Sequence, residues 1–271
     1  MSDASPNQPP SHIHWSGLTH PGRVRKNNED TFLCLTFDAH EVRYLGKIGD
    51  ANFEQGDFVF AVSDGMGGAK SGEFASKIAA EKITALLPKS FKQSAQQITA
   101  GHGDVLTELL HNIHEELIKQ GRHYEECRGM GATLSLGWFT PGWMHFAHIG
   151  DSRIYWLPKG GPMKQVTEDH TYVGWLQRKG ELNEREARTH PRKSVLMQVL
   201  GAGRQFLEPQ IGSVSCECGD RFLFCTDGVI DGIWNHRLAD MLAKDDAKTI
   251  VEYAVAESGR DNASAVVVEV T

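Results

Sequence analysis

Short apolar runs recur along the chain and predict a protein rich in β-strands. The run Phe58–Val62 is continuous, as expected of a strand that is buried on both faces. Pro141-Gly142 and Gly150-Asp151 mark turns between the strands predicted within Ala132–Leu157. The other predicted strands are Thr31–Leu35, Arg221–Thr226 and Ala263–Val270.

A polar stretch over residues 38–57 separates the first two predicted strands. It contains Gly46, Gly49 and Gly56, which favour turns. The pattern fits a long hairpin and an inserted loop equally well.

Apolar residues spaced four apart predict helices, because this spacing places them on one face. The first such segment is Ala75–Leu87, and Pro88 is predicted to end the helix. The second is Val105–Leu117, which Gly121 is predicted to close. A further helix is predicted over Leu238–Ser258.

Two successive helices between strands argue against simple alternation of strand and helix. They favour an α+β sandwich with sheet in the middle and helices outside. No low-complexity linker divides the chain, so one domain is predicted over residues 13–271. Residues 1–12 are polar and Pro-rich, which predicts a disordered N-terminal tail.

Charge and cysteine content narrow the classes of function. The net charge is −7 and no Lys/Arg run stands out, which argues against a nucleic-acid-binding protein. Five cysteines, with no signal peptide before them, argue against a secreted disulfide scaffold. No apolar run approaches the roughly 20 residues that span a bilayer. We therefore expect a soluble, cytoplasmic protein without a membrane segment.

Acidic residues stand where the predicted strands end. Asp64, Asp151 and Asp227 each follow an apolar run, Asp261 precedes the last strand, and Glu29-Asp30 precede the first. If these strands share packed sheets, their carboxylates converge, and they would either shift their pKa values or require cations. Oxygen ligands without nearby Cys or His favour Mg²⁺ or Mn²⁺ over zinc.

The Asp-Gly pairs have a second interpretation, because Asp-Gly is also a common turn dipeptide. Any one such pair is more typical of a turn than of a metal ligand. Two near-identical segments, which end in Asp64-Gly65 and Asp227-Gly228, nevertheless favour the metal site.

A nucleotide-binding loop is the alternative for the glycine-rich segment that ends in Lys70-Ser71. That motif needs Gly, four residues, then Gly-Lys-Ser/Thr. The two glycines that the motif requires would stand where this chain has Asp64 and Ala69, so the segment does not match the nucleotide-binding loop.

As an ordered set, these segments resemble the PPM-type (type-2C class) metal-dependent protein Ser/Thr phosphatases, in their bacterial form. The resemblance covers about residues 15–270 and implies a four-layer α-β-β-α sandwich of two antiparallel sheets flanked by helix pairs. The matching segments are GRVRKNNEDTF (22–32), VSDGMGGAKSGEFAS (62–76), GMGATL (129–134), HIGDSRIY (148–155), VTEDHTYV (166–173), FCTDGVID (224–231) and DNASAVVV (261–268).

The resemblance implies hydrolysis of phosphoserine and phosphothreonine in proteins by a water that two Mn²⁺ or Mg²⁺ ions activate. It assigns the bridging carboxylate to Asp64, a metal-binding carbonyl to Gly65, and the other ion to Asp227 and Asp261. A third ion would be held by Asp151 with Asp227.

Around these ligands, the resemblance places Glu29, Asp30 and Asn262 as residues that orient ligands and waters. Arg25 is implied as the phosphate-binding residue, since its planar guanidinium suits two phosphate oxygens. Arg23 is the competing candidate.

Proton donation to the leaving group is left unassigned. Met66 stands where some relatives have a histidine that is proposed as the general acid. His148 and His170 match family positions, and both are expected to have structural roles.

The segment of about residues 172–204 matches the variable flap beside the active site. Arg192 and Lys193 in it would meet the substrate, or would be an ordinary solvated surface. Implied partners are phosphorylated proteins and a cognate Ser/Thr kinase, and the protein is expected to be a monomer. A scaffold that binds phosphoproteins without catalysis is a further hypothesis.

Overall fold

A computed structural model describes residues 9–38, 40–67, 71–95, 101–204 and 206–271. The strands of these residues are β1 His12–His20, β2 Asp30–Phe37, β3 Val42–Tyr44, β4 Ile48–Asn52, β5 Asp57–Met66, β6 Gly131–Ala132, β7 Leu134–Thr140, β8 Trp143–Ile149, β9 Arg153–Leu157, β10 Lys164–Gln165, β11 Leu200–Gly201, β12 Gln210–Ser215, β13 Arg221–Cys225 and β14 Ala263–Val270. The helices are α1 Ser71–Ala95, α2 His102–His123, α3 Tyr172–Arg178, α4 Glu184–Thr189, α5 Asp227–Gly232, α6 Asn235–Leu242 and α7 Ala247–Glu257.

The strands form two antiparallel sheets. The first sheet has the order β10-β9-β13-β14-β1-β4. The second has β3-β2-β5-β7-β8-β12, and β6 and β11 extend it from the end of β5. The strands predicted from the apolar runs are therefore confirmed.

Three hydrophobic cores hold four layers together. Aromatic residues such as Phe60, Phe139 and Phe224 fill the space between the two sheets. The outer face of the second sheet packs on α1 and α2, and that of the first sheet packs on α5, α6 and α7. The predicted α-β-β-α sandwich is confirmed. It arises because strands such as β5 are apolar on both faces, which requires a covering layer on each side.

The polar stretch 38–57 belongs to both sheets. Its first half forms β3, which pairs with β2 at the edge of the second sheet. Its second half forms β4, which pairs with β1 at the edge of the first sheet. The segment thus crosses between the sheets and is neither a single hairpin nor a plain loop.

Two predicted helix ends are wrong, and one predicted helix is divided in two. α1 continues past Pro88 to Ala95, because a proline removes only one backbone hydrogen bond and the turns before it are held against the second sheet by residues such as Ile83 and Leu87. α2 ends at His123, and Gly121 lies inside its last turn, where a Cβ would be 3.0 Å from the carbonyl oxygen of Cys127. The helix predicted over 238–258 is two helices, since the Asp246 carboxylate caps α7 by accepting from the Thr249 N–H.

Two long strands were not predicted, namely β1 and β12. β1 alternates buried Ile13 and Trp15 with exposed histidines, so its apolar content is low for a strand. The tail predicted over 1–12 falls mostly on residues 1–8, which lie outside the described residues, and β1 begins at His12. None of the helices in the described ranges is long and apolar enough to cross a membrane.

Candidate metal centre and phosphate site

The register of the strands brings the acidic strand ends to one end of the sandwich. Asp30 at the start of β2 lies directly opposite Asp64 on β5. β13 ends beside the start of β14, so Asp227 and Asp261 lie at the same sheet end. Asp151 lies in the turn that leads from β8 in the second sheet to β9 in the first.

Burial and the repulsion between neighbouring carboxylates raise the pKa values of two of these groups. Burial raises the pKa of Asp64 well above its usual range, and the charges of Asp30, Asp227, Asp151 and Asp261 raise it further. The pKa of Asp227 is raised in the same way, by burial and then by Asp151 and Asp261. Each of these groups is therefore stabilised by any cation placed among them.

Thr133 holds the backbone of Asp64 through its hydroxyl group and its backbone N–H. The Asp64 N–H donates to Oγ1 of Thr133 at 3.0 Å, and the Asp64 carbonyl accepts from the Thr133 N–H at 2.8 Å. Thr133 Oγ1 lies 2.7 Å from the hydroxyl oxygen of Ser152, which follows Asp151. One network thus fixes two of the predicted metal ligands.

Gly65 occupies a position with no room for a side chain. A Cβ there would collide with the carbonyl oxygen of Gly72 in the first turn of α1. The Gly65 N–H donates to the carbonyl of Glu29 at 3.1 Å. Glycine therefore lets the start of α1 and the start of β2 pack against the end of β5.

Asp30 is buried behind the centre. Its Oδ2 accepts hydrogen bonds from Thr226 Oγ1 at 2.7 Å and from Ser264 Oγ at 2.8 Å. Burial raises its pKa to about 7, and the charges of Asp261 and Glu29 contribute. The pKa of Asp151 is also raised to about 7 by burial and then by Asp169, while Arg153 opposes the shift.

Asn262 fastens the loop that carries Arg25. Its Oδ1 accepts from the Glu29 N–H at 2.8 Å, and its Nδ2 donates to the carbonyls of Pro21 and Asn27 at 2.9 Å each. The side chain is 4% exposed. Asn262 thus fixes the approach of this loop to the neighbouring Asp261.

The two arginines of that loop have different hydrogen-bond partners. Arg25 donates through Nη2 to Oδ2 of Asp261 at 2.8 Å and keeps 51% of its side chain exposed. This bond, and then the charges of Asp261, Glu29 and Asp64, raise the pKa of its guanidinium. Arg23 instead donates to the carbonyl of Ser258 at 3.1 Å, away from the carboxylates. Arg25 is therefore the arginine placed beside the acidic centre.

His148 and His170 both have bonding partners behind the centre. The ring nitrogens of His148 lie 2.9 Å from Ser135 Oγ and 3.0 Å from the Glu168 carbonyl oxygen. His170 Nδ1 accepts from the Gly150 N–H at 3.2 Å. These contacts are those of structural residues. Met66 is 39% exposed at the end of β5 and supplies no ionisable group.

The flap residues Arg192 and Lys193 have different surroundings. Lys193 Nζ contacts both carboxylate oxygens of Asp231, at 2.9 and 2.7 Å. The guanidinium of Arg192 lies 4.1 Å from the ring centroid of Tyr172, within the flap. Lys193 therefore joins the flap to α5, beside the acidic centre, and Arg192 does not.

A cavity of about 340 Å³ lies between the flap and the acidic centre. Four basic residues on its wall form ion pairs: Arg153 with Asp169, Arg178 with Glu168, Arg188 with Glu184, and Lys193 with Asp231. Asp151 and Asp227 add two further carboxylates to the lining. The cavity is thus acidic on its inner side.

Asp231 and Asp169 are the site residues that sequence reasoning did not assign. Asp231 raises the pKa of both Asp151 and Asp227, and Asp169 raises that of Asp151. Asp231 follows Asp227 by four residues in α5, and this i, i+4 spacing places both on one helix face. Predicting a helix that starts at Asp227 would have identified Asp231 as a candidate site residue.

The donor set fits Mg²⁺ or Mn²⁺, although the carboxylates are grouped loosely. Within the described ranges, no three His, Cys, Asp or Glu side chains form a closed metal-binding set. Asp261 is turned towards Arg25. The donors that face the centre are nevertheless carboxylate oxygens whose mutual repulsion a hard divalent cation relieves. Lys70 of the alternative nucleotide loop lies outside the described residues.

Comparison with known proteins gives a consistent result. A sequence model of the family described as protein phosphatase 2C matches residues 47–265. The chain is 28% identical over 263 residues to the serine/threonine phosphatase stp of Listeria innocua, covering 95% of this chain and 96% of that one. It is 29% identical over 265 residues to the serine/threonine protein phosphatase PstP of Mycobacterium tuberculosis, covering 95% of this chain and 45% of that one.

Among solved structures, the fold is similar to the catalytic domain of PstP in complex with two manganese ions. The TM-score is 0.74 at 26% identity, and the match covers 96% of this chain and 99% of that one. The four-layer sandwich is thus shared over nearly the whole length of both chains.

Proposed function

The chain belongs to the protein phosphatase 2C family of metal-dependent Ser/Thr phosphatases, and we propose that it hydrolyses phosphoserine and phosphothreonine in proteins at the acidic end of the sandwich. The observation that carries this proposal is the convergence of acidic strand ends at Asp64, which lies opposite Asp30 in the strand register and whose pKa neighbouring carboxylates raise. A phosphate group would be repelled by these charges without cations.

Asp64, Asp227, Asp261 and the carbonyl of Gly65 are the groups that would hold two divalent cations. When bound, two such ions supply an activated water and neutralise the charge of the phosphate. Asp151 with Asp227 would hold a third ion at the inner wall of the cavity. Asp30 and Glu29 border these ligands, and Thr226 and Ser264 keep the Asp30 carboxylate in one orientation.

Arg25 binds and orients the phosphate in this proposal. Its guanidinium is anchored at one nitrogen by Asp261 and half exposed otherwise, so the remaining N–H groups can donate to phosphate oxygens. Most catalysis of phosphoryl transfer is positioning and charge stabilisation, and Arg25 contributes both. Asn262 supports it by fixing the ends of its loop.

The partners we propose are phosphorylated proteins together with a Ser/Thr kinase that this enzyme opposes. Their phosphorylated segment would lie between the Arg25 loop and the flap, with Lys193 at the border. We propose the cytoplasm as the compartment, because four of the five cysteines are buried thiols. A monomeric state completes the proposal.

The test compares Arg25→Ala with Arg23→Ala on a phosphothreonine peptide in Mn²⁺. Arg25→Ala should lower kcat/KM by roughly 10–100-fold, through a higher KM or a lower kcat, since a charged hydrogen bond to the phosphate is lost. Arg23→Ala, which removes a same-sized cation from the same loop, should stay within about threefold of the wild type. Equal losses in the two variants would show that Arg25 only supports the loop. A wild type with no Mn²⁺-dependent activity on any phosphopeptide would favour the non-catalytic scaffold.

A further inference from the structure

A left-handed turn ends the flap. Gly201, Ala202 and Gly203 have φ angles of +70°, +50° and +66°. Ala202 is the one residue other than glycine with a positive φ in the described part of the chain. A side chain in this conformation is strained, so surrounding contacts must hold the turn in place.

His114 of α2 supplies one of these contacts. Its Nδ1 accepts the N–H of Gly201 at 3.0 Å, across 87 residues of sequence, and its side chain is 6% exposed. Because Nδ1 is an acceptor here, the neutral ring carries its proton on Nε2. Burial lowers the pKa of His114, and a hydrogen bond to the Arg204 backbone opposes the shift. The ring thus fixes Gly201, the first residue of the turn.

The turn is connected to the metal-binding strand through β6. Gly201 pairs with Gly131, and Gly131 pairs on its other side with Met66. Ala132 pairs in the same way with Gly65. The turn therefore lies about two strand spacings, roughly 10 Å, from the backbone of Gly65.

The contacts along this path leave little space for adjustment. A Cβ on Gly201 would lie 2.7 Å from the Met130 carbonyl oxygen and 2.8 Å from Cβ of Leu117. The Ala202 N–H donates to the same Met130 carbonyl at 2.7 Å. A displacement of the turn must therefore move the segment that leads into β6.

We propose that His114 is a positioning residue for the metal-binding end of β5. Its Nδ1 fixes the turn 201–203, the turn holds β6, and β6 holds Gly65 and the adjoining Asp64 in the arrangement that binds the cation. The inference rests on the proposed function in so far as Gly65 and Asp64 bind that cation. His114 itself contacts neither substrate nor metal.

Two amide variants test this role. The carbonyl oxygen of His114→Asn can occupy the place of Nδ1 and accept the Gly201 N–H, whereas that of His114→Gln reaches the place of Nε2. We expect His114→Asn to bind Mn²⁺ within about twofold of the wild type in calorimetry with the metal alone. His114→Gln should bind about tenfold more weakly, at the low end of the range for groups behind metal ligands.

Amide exchange gives a second measurement that does not depend on metal. In His114→Gln the Gly201 and Met66 amides should both exchange faster, while in His114→Asn both should stay protected. His111→Gln, an exposed histidine on the same helix, is the control and should change neither quantity.

Equal Mn²⁺ affinities in the two His114 variants would overturn the proposal, and so would faster exchange at Gly201 without any change at Met66. Failure of the proposed function gives a different result. In that case the wild type itself would not bind Mn²⁺, and the exchange of Met66 would still decide whether His114 controls the end of β5.

Discussion

Burial sets the properties of individual carboxyl groups in this protein, including some far from the acidic centre. Asp57 at the start of β5 accepts a hydrogen bond from Trp138 Nε1 at 2.8 Å. Burial nevertheless raises its pKa from 3.8 to about 6, and the hydrogen bond opposes the shift. Asp57 is half-buried, so it tests the effect of partial burial on a carboxyl group without involving any proposed metal ligand.

Asp57 should make the protein less stable as the pH rises. Its folded-state pKa is raised, so the stability it contributes is present below about pH 4 and is lost as the pH rises through about 6. Asp57→Asn keeps an oxygen for Trp138 and removes the charge. We expect it to unfold with about 2 kcal/mol more free energy than the wild type at pH 8 and with a similar value at pH 4. Urea denaturation at both pH values measures this, with the exposed Asp50→Asn as control; a less stable Asp57→Asn at pH 8 would refute it.

The candidate ligands could be predicted residue by residue because each stands at the end of an apolar strand, a feature that is local in sequence. Family spacing favours Arg25 over Arg23 in the sequence, but the physical reason is not visible there. It depends on which guanidinium reaches Asp261, across 236 residues of sequence. The hydrogen bond between His114 and Gly201 spans 87 residues and is also non-local, and the sequence pattern of α2 does not indicate it.

At the scale of elements, α4 of the flap is held against α5 by Arg188, in addition to the contact of Lys193 with Asp231. Arg188 of α4 donates at 2.5 Å to the carbonyls of both Ile230 and Ile233, at the end of α5. It also forms an ion pair with Glu184, and its guanidinium lies 4.3 Å from the Trp234 ring centroid. These contacts satisfy backbone oxygens that α5 leaves at its end.

Arg188→Lys should loosen the flap without unfolding the protein. Lysine keeps the charge but cannot bond two carbonyls at once with a planar group. We expect the amides of residues 184–195 to exchange roughly tenfold faster, equivalent to the loss of about one strong hydrogen bond. Hydrogen exchange with mass spectrometry measures this. Arg185→Lys, an exposed arginine on the same helix, should have no effect, and an equal effect in both variants would contradict the assignment.

Elements with strong periodicity could be predicted, and those stabilised by tertiary contacts could not. β5 and β14 contain continuous apolar runs, Phe58–Val62 and Ala265–Val268, and were expected. β1 contains three histidines, and it is a strand because it completes the first sheet between β14 and β4. Pro88 shows the opposite case, in which a strong local signal for a helix end is outweighed by the packing of the preceding turns of α1, such as Ile83 and Leu87.

The whole molecule consists of two packed sheets whose acidic strand ends concentrate negative charge at one end of the sandwich. The four-layer arrangement was predictable from the family resemblance, whereas the alternation of strands and helices alone indicated only an α+β sandwich. The register of the sheets explains why the acidic residues meet, since each lies at a strand end on the same side. In this account, cations contribute both to stability and to catalysis.

Mn²⁺ should therefore stabilise the folded protein. A ligand at about 100 times its dissociation constant adds about 2.7 kcal/mol, which for a chain of this size raises Tm by roughly 5–10 °C. Asp64→Asn should raise the Tm of the EDTA-treated protein, because it removes a repelled charge, and should reduce the response to Mn²⁺. Scanning fluorimetry measures both effects. A Tm of Asp64→Asn in EDTA below that of the wild type would contradict the repulsion inferred at this site.

The most direct measurement is phosphate release from a phosphothreonine peptide by the purified chain, followed across a Mn²⁺ titration in wild type and Asp64→Asn. We expect the wild type to be inactive in EDTA and to regain activity with Mn²⁺. We also expect Asp64→Asn, although folded, to lose at least about 100-fold in kcat/KM at every Mn²⁺ concentration. Undiminished hydrolysis in EDTA, or wild-type activity in Asp64→Asn, would contradict a reaction that depends on cations held by the acidic end of the sandwich.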